Sequence, residues 1–184
     1  MTMWNPWRGC KKCSEGCLHC YIHKGDAKRG VDTGNIVKTK DWGVGYENVV
    51  VCCTIENQKN ADKKLAIFQS LPIKHKCITA QPLIEKIDIE QYLGDIELVV
   101  VGGESDYYAR LLDYEWVLDI REQCVREKVS FEFRQCGTYC VKDGKQYKLQ
   151  TKDLCSQARK VGIDFKKATV LMNLSIASGT MIIK

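Results

Sequence analysis

The run Glu97 to Gly103, ELVVVGG, admits few structures. It is the strongest strand in the sequence. Asn48 to Thr54 (NVVVCCT) is an unbroken, β-branched-rich apolar run bounded by polar residues, the pattern of a strand covered on both faces, as in a parallel sheet. Lys76 to Ala80 (KCITA) is a shorter strand stopped by Gln81-Pro82, and Ser130 to Gln135 (SFEFRQ) alternates as a further strand. Met1 to Trp7 is read as a short first strand ending at Asn5-Pro6.

Helical patterns lie between these strands. Ala61, Leu65 and Phe68 recur at i, i+4 and i+7, with Asn60 as the expected N-cap and Pro72 marking the end. Tyr114 to Arg126 is a helix capped by Asp113, with Val117, Ile120 and Cys124 on one face. Leu154 to Lys160 is helical up to Gly162, and Tyr21 to Lys28 forms a shorter helix. Lys142 to Leu149 is a hairpin around Asp143-Gly144. Gly30 to Lys40 reads as loop. Strands alternating with helices define an α/β chain built on a parallel sheet, in the manner of a barrel or part-barrel. In such folds ligands sit at the C-terminal ends of the strands. Those ends carry Thr54-Ile55-Glu56-Asn57, Ala80-Gln81, Gly102-Gly103-Glu104-Ser105 and Gln135-Cys136-Gly137, which should converge on one mouth.

A chain of 184 residues is expected to form one domain, residues 1–165, followed by a tail, 166–184, whose segment Ala168 to Ile183 is read as an extra strand or a frayed end. That tail is shorter and more interrupted than the ~20 apolar residues a membrane span requires. The formal charge of +5 is spread over scattered lysines, a solvated surface rather than a nucleic-acid stripe. The first residues, MTMWNPWRG, contain no apolar core of a signal peptide, so a cytoplasmic, reducing setting is expected. Eleven cysteines in such a setting favour metal binding over disulfides.

Four of those cysteines, Cys10, Cys13, Cys17 and Cys20, fall within eleven residues of one another in WNPWRGCKKCSEGCLHCY, residues 4–21. Structural zinc usually takes two knuckles separated by a longer arm, for which this spacing is cramped. An iron–sulfur cube suits a tight loop better. Elsewhere the thiols and imidazoles say less. Cys52 and Cys53 are adjacent on a strand and so face opposite sides. His23 and His75 have no companion at ligand spacing, and Cys136 and Cys140 are read as ordinary thiols near the mouth rather than a second metal site.

The stretch CSEGCLHC, residues 13–20, fits the C-x3-C-x2-C motif of radical S-adenosylmethionine (SAM) enzymes. The longer stretch WNPWRGC–SEGCLHCY resembles the start of a phage- and mobile-element-encoded, radical-SAM-like family of unknown function. There the pattern is W-N-P, then G-C, six residues and C-x2-C-Y. The resemblance implies Cys10, Cys17 and Cys20 as the three cluster ligands, while the generic motif makes Cys13 a rival for the first position. It continues through residues 48–82, through Glu97 to Ser105 and through Trp116 to Gly137. It implies a [4Fe–4S] cluster and SAM as cofactors, an external electron donor and an unknown substrate. It also implies His19 beside the adenine, Thr54 and Glu56 near the ribose, and Gly102, Gly103 and Glu104 against the cofactor.

Two departures accompany the resemblance. Relatives carry two further strand–helix units where this chain passes from Lys40 to Trp42-Gly43, so the expectation is an incomplete TIM-type (β/α) barrel with mostly parallel strands. Such a barrel has unpaired sheet edges that invite self-association or a protein partner. The family's C-E-P reads Ala80-Gln81-Pro82, and its lysine before the glutamine reads Arg134. The alternative expectation is therefore a truncated, inactive relative that acts as an iron–sulfur or zinc binding module.

Overall fold

Four of the segments read as strands pair into one all-parallel sheet in a computed structural model of the chain, which describes residue 12, residues 14–30 and residues 49–167. The strands are β1 (Val50–Ile55), β2 (His75–Ala80), β3 (Ile96–Gly102) and β5 (Ser130–Gln135), in spatial order β1-β2-β3-β5. A smaller sheet joins β4 (Leu111–Asp113) in parallel to β6 (Tyr139–Lys142), which turns back antiparallel into β7 (Lys145–Lys148). The expected hairpin is there, with Asp143 and Gly144 both at positive φ. Helices α1 (Tyr21–Arg29), α2 (Gln58–Ser70), α3 (Tyr114–Arg126) and α4 (Leu154–Val161) account for the helical patterns. The expected first strand, the Gly30–Lys40 loop beyond its first residue, the Lys40–Trp42 junction and the tail from residue 168 lie outside the described residues.

Successive strand residues point to opposite faces, and the core forms on one of them. Ile55, Ile78, Ala80, Val99, Val101, Phe131 and Phe133 project from the large sheet onto Ala61, Leu65 and Phe68 of α2, Val117, Ile120 and Cys124 of α3, and Ala158 of α4. Leu112 and Cys140 bring the small sheet into the same core. Burying a Leu, Ile or Phe here stabilises the fold by roughly 1.5–3 kcal/mol each. Gln123 is the polar exception. It is buried on α3, accepts from the Ile89 N–H at 2.7 Å and donates to the Ile87 carbonyl at 3.1 Å, fixing the β2–β3 connection against the helix.

Two expectations need correction. β1 is not covered on both faces: burial alternates along it, with Val50, Cys52 and Thr54 exposed and Ile55 buried. Among the described residues β1 pairs with β2 alone. The N-cap of α2 is Asn57, not Asn60. Asn57 follows the strand almost directly, and its side chain accepts from the Asn60 N–H at 2.9 Å, which makes Asn60 the third helical residue. The β5 edge carries one further pairing. Phe165 exchanges two backbone hydrogen bonds with Phe131 (2.7 and 3.0 Å), and the Asp164 carboxylate accepts from the Phe133 N–H at 2.9 Å. No helix among the described residues is long and apolar enough to cross a membrane.

Candidate functional site

The segment that carries Cys17 and Cys20 is short and poorly suited to hold itself in place. A 3-10 turn over Glu15–Cys17 runs into α1, whose N-cap is Cys20. Its position comes from carboxylates at the C-terminal ends of the parallel strands. At the end of β1, Glu56 is 1% exposed, yet both its oxygens are engaged. Oε1 accepts from the Gly16 N–H (3.4 Å) and from Asn60 Nδ2 (3.0 Å), and Oε2 from Lys64 Nζ (3.1 Å). Lys64 also donates to the Thr54 carbonyl at 3.0 Å, and Asn57 Nδ2 reaches Glu15 Oε2 at 3.4 Å.

Beyond β3, Asp106 receives the ammonium of Lys24, and His19 Nδ1 stands 3.7 Å from Asp106 Oδ1. The Lys24 hydrogen bond, helped by the Tyr108 N–H, holds the Asp106 carboxyl below its usual range. The cysteine segment is thus tied at one end to β1 and α2 and at the other to the loop after β3, and it lies across the strand ends.

The glycines at the end of β3 have a packing reason. A Cβ on Gly103 would lie 2.7 Å from the Cys136 carbonyl oxygen and 2.8 Å from Gly137 Cα; a Cβ on Gly102 would press on Gln81 and Gln135 at 3.0–3.1 Å. This close approach closes the β3 and β5 ends together. The Gly103 N–H donates to the Gln135 carbonyl at 3.0 Å, and Gln135 Nε2 donates back to the Gly103 carbonyl at 2.6 Å. Glu104 is held by Arg110 in a two-pronged contact: Nε to Oε2 at 3.1 Å and Nη2 to Oε1 at 2.8 Å, with the Arg110 N–H adding a bond to Oε2 at 2.9 Å. That pairing raises the guanidinium above its ordinary value.

Together these parts frame an opening of about 400 Å³ at the strand ends, lined among others by Gly16, His19, Cys20, Thr54, Gln81, Gly103, Glu104, Arg134 and Gln135. A larger neighbouring cavity of about 740 Å³ runs from Cys17 and Cys20 along β1, past Cys52, Cys53 and Thr54, to Ile73. The structure therefore gathers His19, Cys17, Cys20, Thr54, Glu56, Gly102, Gly103 and Glu104 into one region. Of the candidate ligands, Cys10 and Cys13 lie outside the described residues, and the described residues contain no group of three or more metal-ligating side chains.

Asp106, Lys64 and Arg110 were not singled out in the sequence. They position the segment and the carboxylates, and each is an ordinary charged residue whose partner is known only once the loops are placed. Cys136 and Cys140 are buried near the strand ends, and His75 lies at the start of β2. Burial pushes the Cys136 thiol up to about 12 and Cys140 to about 11, and His75 Nδ1 lies 2.6 Å from Glu97 Oε1.

The pattern of a family described as "Protein of unknown function (DUF5131)" matches residues 27–168. The chain belongs to this family. The matched span holds the whole parallel sheet and the strand ends from Thr54 to Gly137, whereas Cys17 and Cys20 precede it. The family's description states no activity, so the chemistry has to be argued from the site. No curated protein and no solved structure matches the chain.

Proposed function

We propose that this chain is a radical-SAM-type iron–sulfur protein, related to the phage- and mobile-element-encoded proteins its first residues resemble, and that it works in the cytoplasm with an external electron donor. On this reading the four-stranded sheet is an arc of an incomplete (β/α) barrel. The observation that carries the proposal is the tethering of the Cys17–Cys20 segment over the strand ends, through Gly16 to Glu56, Glu15 to Asn57 and Lys24 to Asp106.

The donor set suits a soft metal. Cys17 and Cys20 are half-buried thiols three residues apart, and Cys20 sits at the N-terminus of α1, where unpaired helix N–H groups favour a negatively charged group. Cys17 and Cys20 would hold two irons of a [4Fe–4S] cluster, with Cys10 or Cys13 as the third thiolate, leaving one iron open. When bound, the cluster and SAM supply reductive cleavage to a 5′-deoxyadenosyl radical that abstracts hydrogen from the substrate. The chain's own residues orient and enclose. His19 and Thr54 both line the opening and would face the adenine and the ribose respectively, and Gly103, which also lines it, would lie against the cofactor with Gly102 and Glu104 behind it. Arg134 adds positive charge at the mouth.

Anaerobic reconstitution tests the metal half of this reading. About four irons and four sulfides per chain are expected, lost in Cys17→Ser and Cys20→Ser; iron retained in both variants would sink the assignment. A second reading is favoured by a specific observation. Glu56 and Glu104 already spend their oxygens on Lys64, Asn60, Gly16 and Arg110, and position 81 is a neutral glutamine. A metal-binding module without turnover, holding iron–sulfur or zinc, needs no carboxylate for a cofactor. Tight zinc after aerobic purification, with no heat of SAM binding, would support that module instead.

A further inference from the structure

On the face of the sheet opposite the helices, β1 and β2 place Cys52 directly beside Cys77 in parallel register. Neighbouring strands run about 4.8 Å apart. Disulfides usually span Cα separations of roughly 4.4–6.8 Å, so this register brings the two cysteines within bridging range. The two thiols differ in access. Cys52 is exposed and lines the large cavity beside Cys17, Cys20 and Thr54, whereas Cys77 is 3% exposed.

They also differ in protonation. A hydrogen bond from Cys77 holds the Cys52 thiol down at about 6 despite partial burial, aided by the Thr79 side chain and the positive charge of Arg134. Cys77 is pushed up by that same hydrogen bond, by burial and by the charge on Cys52. Cys53, one residue along on the helix-facing side, has no such partner, and burial pushes it up to about 11. The pair is therefore an accessible thiolate backed by a protonated thiol, the arrangement of an attacking and a resolving cysteine.

We propose that Cys52 and Cys77 form a dithiol site that reacts with low-molecular-weight disulfides and closes into a disulfide across β1 and β2. The Cys52 thiolate attacks one sulfur of R–S–S–R. The electron pair of the broken S–S bond leaves with RS⁻, which takes a proton from water. Cys52 is then a neutral mixed disulfide, so its hydrogen bond and charge no longer raise Cys77. Cys77 gives its proton to water and attacks the Cys52 sulfur, expelling the second RS⁻. Two protein thiols lose two electrons and one disulfide becomes two thiols. The site is separate from the cluster reading and stands whether or not a metal binds at Cys17 and Cys20.

The test treats the reduced full-length chain with oxidised glutathione at pH 7, followed by acid quench and peptide mapping. The wild type should yield a linked Cys52–Cys77 peptide pair and release two more equivalents of glutathione than Cys52→Ser. Cys77→Ala should stop at a mixed disulfide on Cys52. Cys52→Ser changes an exposed residue and keeps the test valid if the buried Cys77→Ala variant does not fold. Overturning results are Cys52 linked to Cys17 or Cys20 instead, or modified no faster than Cys155.

Discussion

Replacing Glu56 by alanine removes the acceptor shared by Gly16, Asn60 and Lys64 and leaves a lysine beside an emptied carboxylate site. Removing one partner of a fully buried pair costs about 3–5 kcal/mol. Lys64 keeps some access to water, so a loss of about 2 kcal/mol is expected in urea unfolding. Gly103→Ala should cost about 2 kcal/mol or more, because the added methyl meets backbone rather than a movable side chain. Gly94→Ala, with nothing within 4 Å, should stay within about 0.5 kcal/mol. Equal effects of the two glycine changes would contradict the packing argument. At this scale the sequence was informative about position and silent about pairing. Glu56, Gly102, Gly103 and Glu104 stand out as residues at strand ends. Their partners, eight residues on at Lys64 and six at Arg110, depend on a helix turn and a loop path that no periodicity reports.

The Ser14–Arg29 segment is held by few contacts, so its stability should respond to single charges. Asp106→Asn removes the counter-charge of Lys24. Because exposed pairs contribute only about 0.2–1 kcal/mol, amide exchange in α1 should rise by up to about fivefold, with exchange in β2 and β3 unchanged. The pH dependence follows from the depressed Asp106 value. Its folded pKa lies below the ordinary 3.8, so the contribution is complete above that value and is lost as pH falls through the lower, folded value. Acidification below about pH 4 should therefore loosen α1 in the native protein and not in Asp106→Asn, as followed by exchange of the α1 amides. Elements were legible wherever two local signals agreed. Asp113 before Tyr114 set α3, and Asp143-Gly144 set the hairpin. The reading of β1 failed because NVVVCCT carries no polar alternation to mark the face on which Val50, Cys52 and Thr54 stand exposed.

For the molecule as a whole, a mostly parallel sheet with its strand ends on one side was visible in the alternation of apolar runs and helices, whereas the order β1-β2-β3-β5 was not. Nor was the Phe165 bridge at the β5 edge, since one residue pair far from the strand in sequence leaves no pattern. The family match spans the sheet and begins after Cys20, and the cysteine segment is joined to the sheet by its tethers to Glu56 and Asp106. Their joint use is the central claim, and product formation tests it most directly. The anaerobically reconstituted chain should be incubated with SAM and a strong reductant and assayed for 5′-deoxyadenosine. The account predicts its release by the wild type and none by Cys17→Ser or Cys20→Ser. A fully loaded, folded protein that releases no 5′-deoxyadenosine would contradict it.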